Sequence, residues 1–171
     1  MTLEPVGHAD EQGQPVQGFA RGRDDGHRID LPNWTMLVKV AAGDTVGRLT
    51  VIEGRMEPQL VGPPAHVHDG HDETFVILEG QLRFRVGDEF HTAVAGETMF
   101  ASRRLAHGFG NPFDEPARYV VILTPSGYEE YFAKVAEHVA RTGDMPDPAR
   151  TQELMAQHST ILVPPLADSG H

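Results

Sequence analysis

Between Trp34 and Leu123 the apolar residues recur at every second position or fall in short continuous runs, a pattern that predicts strands rather than helices. Trp34 to Val40 and Arg48 to Met56 read as two strands, separated by a turn at Ala42-Gly43-Asp44. Thr74 to Leu78 is a further strand-like run. From Gln81 to Val86, Leu82, Phe84 and Val86 alternate with Gln81, Arg83 and Arg85, so one face is expected to be buried and the other wet. Gly87-Asp88 turns the chain into Phe90 to Val94. Pro112 to Pro116 forms another turn before Ala117 to Leu123, whose continuous apolar run predicts burial on both faces.

After residue 125 the period becomes helical. Ser126-Gly127-Tyr128-Glu129 has the form of a capping box, and Tyr128, Tyr131, Phe132, Val135 and Val139 follow as a packing stripe, with Gly143 beyond the helix end. Asp147-Pro148 predicts a second short helix through about Gln157, and Ile161 to Leu166 is apolar enough to dock. Residues 1–29, rich in Gly, Gln and Asp with few apolar anchors, read as an N-terminal arm that is mobile or exchanged between subunits. The chain thus divides into an arm (1–29), a strand-rich body (30–125) and C-terminal helices with a tail packed on it (126–171).

Composition narrows the function classes. A chain of 171 residues is large enough for one domain with its own core. A net charge of -11 argues against nucleic acid and anionic membrane surfaces as partners and leaves a small-molecule substrate. With no cysteine there is no disulfide, thiolate nucleophile or cysteine-ligated zinc. No basic segment followed by an apolar run opens the chain, so a cytoplasmic protein is expected, and Asn33-Trp34-Thr35 has no meaning as a glycosylation acceptor. The serine-elbow, phosphate-loop, His-Glu-x-x-His and dinucleotide signatures are missing, which disfavours those chemistries.

The dense cluster of metal donors lies in Gly62 to Gly80, GPPAHVHDGHDETFVILEG. His66 and His68, two apart on a strand, project to the same side. Asp69 to Asp72 is turn chemistry, and Glu73 stands at the mouth of the next strand, returning a carboxylate to the imidazoles. Such a set suits a divalent first-row metal with positions left for water or substrate. An exposed or core His pair is the alternative. His71 reads as a solvated loop histidine, because Gly70 makes a helical turn there poor; a substitute ligand is the other reading. Within Gly96 to Asn111, His107 and Phe109 share a strand face, which places Phe109 as an apolar wall beside the site. Trp34, Met36 and Phe75 are the other pocket candidates, weighed against plain core. Arg103 and Arg104 read as a solvated turn, with steering of an anionic substrate as the alternative.

These two stretches resemble the two cupin motifs. The first carries His66, His68, Glu73 and Gly80 at the spacing of G…HxHx4Ex6G, and the second carries Gly96, His107 and Asn111 of Gx5PxGx2Hx3N. Ser102 and Arg104 stand where that motif has proline and glycine, which bears on the turn before His107 and leaves the donors intact. With the two helices and the closing PPL, the chain is similar to single-domain quercetin dioxygenase-like cupins over Trp34 to Leu166. The resemblance implies an all-β double-stranded β-helix, a jelly-roll-like barrel with two C-terminal α-helices, in a homodimer. It implies His66, His68, Glu73 and His107 as ligands of a divalent ion (Fe, Ni, Mn, Co or Zn) and Glu73 as catalytic base. The activity expected is a quercetin 2,3-dioxygenase-like oxidation of a phenolic, flavonol-like or polyketide-like molecule. A redox-neutral isomerase or cyclase and a non-enzymatic small-molecule binder are the alternatives.

Overall fold

In the computed structural model the described residues are 8–9, 15–16 and 18–164. The alternating runs become antiparallel strands whose every second residue faces a shared interior. In chain order they are β1 (His8–Ala9), β2 (Pro15–Val16), β3 (His27–Leu31), β4 (Trp34–Val40), β5 (Thr50–Met56), β6 (His66–His68) and β7 (Asp72–Glu79). Then follow β8 (Gln81–Val86), β9 (Glu89–Val94), β10 (Thr98–Ala101), β11 (His107–Gly110) and β12 (Ala117–Thr124). Two helices, α1 (Glu129–Thr142) and α2 (Pro148–Ala156), precede β13 (Thr160–Leu162). A six-stranded sheet runs β10-β7-β12-β5-β4-β3 and a five-stranded sheet runs β13-β6-β11-β8-β9, while β1 and β2 pair with each other. Two such sheets with the connection crossing between them make the double-stranded β-helix, with the two helices following it.

Inward residues of both sheets form one core. From the six-stranded sheet come Trp34, Met36, Ile52, Met56, Phe75, Ile77, Tyr119 and Leu123, and from the five-stranded sheet Leu82, Phe84 and Phe109. Four aromatic rings interlock there: Phe75 lies 5.1 Å from Phe84 and 4.9 Å from Phe109, and Phe109 lies 5.6 Å from Tyr119. The one polar group among them is satisfied, since Trp34 Nε1 donates to the Tyr119 hydroxyl at 2.9 Å.

Two glycines hold the frame. A Cβ on Gly62 would run into the Phe109 carbonyl, so the β5–β6 connection lies directly on β11. Gly80 turns β7 into β8 at φ 67°, with the Pro116 carbonyl where a side chain would stand.

Several expectations need correction. β12 is not buried on both faces: Ala117, Tyr119, Val121 and Leu123 are buried, while Arg118, Val120, Ile122 and Thr124 are half-buried on the outer face of the sheet. No capping box opens α1, because its N-cap Tyr128 makes no side-chain cap bond. Glu129 instead accepts from Thr50 Oγ1 at 2.7 Å, Gly127 N at 2.8 Å and Ala42 N at 3.0 Å, clamping the helix start to the β4–β5 turn. The apolar tail docks as a strand: its first residues form β13 beside β6, with Leu162 packed against the core while Ile161 is 62% exposed. Its closing Pro165 and Leu166 lie outside the described residues.

Residues 1–7, 10–14 and 17 of the arm also lie outside them. From residue 18 onward, however, the chain is tied to β4: Arg21 donates to the Lys39 carbonyl at 2.7 Å, and Lys39 Nζ donates to the carbonyls of Gly22 and Asp25 at 2.8 and 2.9 Å. The second helix starts where the residues direct, with the Asp147 side chain accepting from Arg150 N at 2.8 Å at the α2 cap. No helix among the described residues is long and apolar enough to cross a membrane.

Candidate metal centre

Three strands deliver the four donors. His66 and His68 occupy both ends of β6 and point to the same side, 3% and 1% exposed. Glu73, the second residue of β7, is 4% exposed, and His107 opens β11 at 3%. β11 pairs with β6 so that His107 is directly opposite His66. The arrangement is tight: His66 Nε2 lies 3.0 Å from His68 Nε2, Glu73 Oε1 is 3.3 Å from His68 Nε2, and Glu73 Oε2 is 3.2 Å from His107 Nε2.

The far nitrogen of each ring fixes the role of the near one. His66 Nδ1 donates to the Pro64 carbonyl at 2.7 Å and His107 Nδ1 to the Leu105 carbonyl at 2.9 Å. Thr160 Oγ1 donates to the His158 carbonyl at 3.2 Å and so accepts from His68 Nδ1 at 2.7 Å. With the ring protons committed to Nδ1, the Nε2 lone pairs all face inward. Two facing lone pairs at 3.0 Å, sealed from water beside a carboxylate, repel unless a cation or a proton lies between them. The donor set therefore fits a divalent ion.

The electrostatics agree. Burial, reinforced by His107 and His68, pushes His66 down to about 3, and burial likewise lowers His68. For His107 burial works in the same direction, but the hydrogen bond and charge of Glu73 outweigh it and its pKa is raised. Burial alone would raise Glu73; the imidazoles of His107, His68 and His71 beside it overcome this and hold the carboxyl well below its usual range. In the metal-free protein Glu73 is thus held ionised against the imidazoles of His68 and His107, contacts that a bound cation would take over.

His71 is not a solvated loop residue. It is 5% exposed, with its ring 4.0 Å from that of His68 and Nε2 3.4 Å from Glu73 Oε1. The signal was available: His71 and Glu73 are two apart at the start of a strand, the same spacing that brings His66 to His68. Tyr128 was also read as packing alone, yet its ring covers His68 at 4.5 Å and His71 at 4.6 Å. Its place in a regular helical stripe gives no hint of this. Thr160 carried no local signal, being 92 residues from the histidine it orients.

The turn before His107 is structural. Arg103 grips Asp72 through its backbone N at 2.8 Å and its guanidinium at 2.7 Å, fixing the start of β7 one residue before Glu73. Arg104, where the motif has glycine, adopts φ 67°, and its N donates to the His68 carbonyl at 2.7 Å. Asn111 is fully buried and donates to the carbonyls of Glu57 and Glu115 at 3.1 and 2.9 Å, tying the connection after β5 to the turn before β12.

Of the pocket candidates, Trp34 lines a cavity of about 590 Å³ between the β5–β6 connection and α1, together with Leu60, Pro64, Tyr131, Phe132 and Leu162. Phe109 borders a shallower groove on the other side of that connection. Met36 and Phe75, 1% and 2% exposed, belong to the core and to neither wall. None of the four donors lines this cavity; its tie to the metal centre is Pro64, which lines it and whose carbonyl holds His66.

Residues 50–123 match the cupin domain family, a span that contains all four donors. Among solved structures, the polyketide cyclase RemF from Streptomyces resistomycificus superposes with a TM-score of 0.55 at 20% identity, covering 63% of this chain and 79% of its own. KdgF from Halomonas sp. gives 0.55 at 12% identity over 63% and 94% of the two chains. An RmlC-like cupin from Shewanella frigidimarina gives 0.54 at 14% over 64% and 93%. At these identities the likeness is one of fold. No curated protein matches the sequence.

Proposed function

We propose, from the match of residues 50–123 to the cupin domain family and from the donor geometry, that the chain is a divalent-metal enzyme of dioxygenase type acting on a phenolic, flavonol-like or polyketide-like small molecule. The observation that carries this reading is the buried convergence of three Nδ1-anchored imidazoles, with the Glu73 carboxylate against two of them. His66, His68, His107 and Glu73 would hold the ion, which supplies Lewis acidity and, if iron, manganese, cobalt or nickel, a route to dioxygen.

The remaining steps belong to the protein. The cavity walled by Trp34 and Phe132 is almost wholly apolar, which favours a ring-bearing substrate with few polar groups and excludes water from it. Tyr128 closes the site over His68. Glu73 is ionised across the neutral range, so it is placed to accept a hydroxyl proton from the substrate at a carboxylate oxygen.

Oxygen-electrode assays of the metal-loaded protein on a panel of phenols, flavonols and diketones test the reading, with oxygen consumption in step with substrate loss as the expected result. Substrate loss without oxygen uptake would replace it by the redox-neutral isomerase or cyclase reading. Silence across the panel would favour a binding protein. Glu73→Gln keeps an oxygen donor and removes the basicity, so turnover per bound metal should fall by about 10² to 10⁴. Equal turnover per metal would leave Glu73 a ligand and move the base elsewhere.

A further inference from the structure

His71 is the buried imidazole that the four-donor site does not use. Its Nε2 is sealed from solvent and has no hydrogen-bond partner among the described residues. It stands 3.4 Å from Glu73 Oε1 without the alignment of a hydrogen bond, so it is not simply a donor that orients the carboxylate. The ring lies 4.0 Å from that of His68 at an interplanar angle of 33°, and both rings pack against Tyr128, at 4.6 Å for His71 and 4.5 Å for His68. An unpaired nitrogen buried in this way costs stability unless something occupies its lone pair.

The donor atoms form two overlapping groups. His66, His68 and His107 make one and His68, His71 and Glu73 the other, with the ligand atoms in each within 4.8 Å of one another. That span matches two metal–ligand bonds of about 2.0 to 2.2 Å placed across one ion. His68 belongs to both groups, and Glu73 joins them by meeting His71 through Oε1 and His107 through Oε2.

We propose that His71 is a fifth protein donor to the metal, making the set four imidazoles and one carboxylate. The proposal rests on the metal reading above and sharpens it. An octahedral ion held by five protein donors keeps one open position instead of two, so a substrate binds through a single oxygen, as a phenolate or enolate does, and not as a chelate. Dioxygen and substrate then compete for that position unless His71 or Glu73 lets go, which makes His71 the residue that sets how many exogenous ligands the site admits.

The test counts bound imidazoles directly. The full-length protein, labelled with ¹⁵N-histidine and loaded with Zn²⁺, is measured by long-range proton–nitrogen correlation, in which a zinc-bound Nε2 is distinct from a free or protonated one. Four bound histidines are expected in the wild type. His71→Phe keeps an aromatic ring against both His68 and Tyr128 but removes the nitrogen; it should show three and bind zinc at least about tenfold more weakly. Three bound histidines in the wild type, with His71 carrying ordinary neutral or protonated nitrogens, would overturn the proposal and leave the four-donor site standing. No bound histidine at all would overturn both. If His71→Phe does not fold, the wild-type count decides alone.

Discussion

The two ends of the barrel interior share their strands and hold opposite chemistry. On β7, Glu73 and Phe75 are two residues apart and face the same way; on β11, His107 and Phe109 repeat the step. One period of the pleat therefore separates a buried carboxylate and imidazole from a cluster of Phe75, Phe84, Phe109 and Tyr119 rings. The aromatic end gains from burial and needs no ligand. The histidine end opposes folding in the metal-free state, because lone pairs face each other and charge is held away from water. Stability and chemistry are thus divided along each strand, and the apolar end is what allows the polar end to exist without its metal.

The widest gap between the ends should appear on truncation. Phe75→Ala removes a ring that is 2% exposed and meets three other rings, so about 3 to 5 kcal/mol of stability should be lost in urea unfolding. A loss below about 1 kcal/mol would mean that the metal end carries the fold, and the division would fail.

A smaller effect is expected at the rim. Arg104 adopts a left-handed conformation that glycine takes without strain. Arg104→Gly should raise stability by at most about 1 kcal/mol, after the added freedom of the unfolded chain and the loss of an exposed Asp69 contact are deducted. A clear loss would show that the Asp69 contact governs the turn.

The smallest effect concerns acid. The Arg103 side-chain and backbone hydrogen bonds hold Asp72 at about 2, below its ordinary 3.8. Its folded pKa is depressed, so its contribution is present above about pH 4 and is lost as pH falls toward about 2. Stability curves of wild type and Arg103→Ala should therefore differ most above pH 4 and converge toward pH 2. A gap that stays constant with pH would assign the loss to packing.

The sequence showed the donors and the strands on which they stand because both depend on one local rule, the alternation of faces. His66 with His68, His107 with Phe109, and the buried series of β8 all follow from spacing. The same rule reaches His71 through Glu73; the glycine beside it drew attention to the loop and away from the strand that begins at Asp72. Contacts made over long sequence separations had no local trace. Thr160 orients His68 only because β13 returns to pair with β6, and Glu129 clamps Thr50 across the sheet instead of capping its own helix. The half-exposed outer face of β12 escaped for a related reason: an apolar run looks the same whether its second face is covered or not.

The central claim is that His66, His68, His107 and Glu73 hold one divalent ion in a barrel that stands without it. Metal content after loading in turn with Fe²⁺, Mn²⁺, Co²⁺, Ni²⁺ and Zn²⁺ and exhaustive dialysis, read beside circular dichroism, tests it most directly. One ion per chain is predicted for wild type with at least one of these metals, and His66→Ala, His68→Ala and His107→Ala should each lose most of it while keeping the β-sheet spectrum. A wild-type protein that retains none of the five, or a histidine variant that keeps a full equivalent, would contradict it.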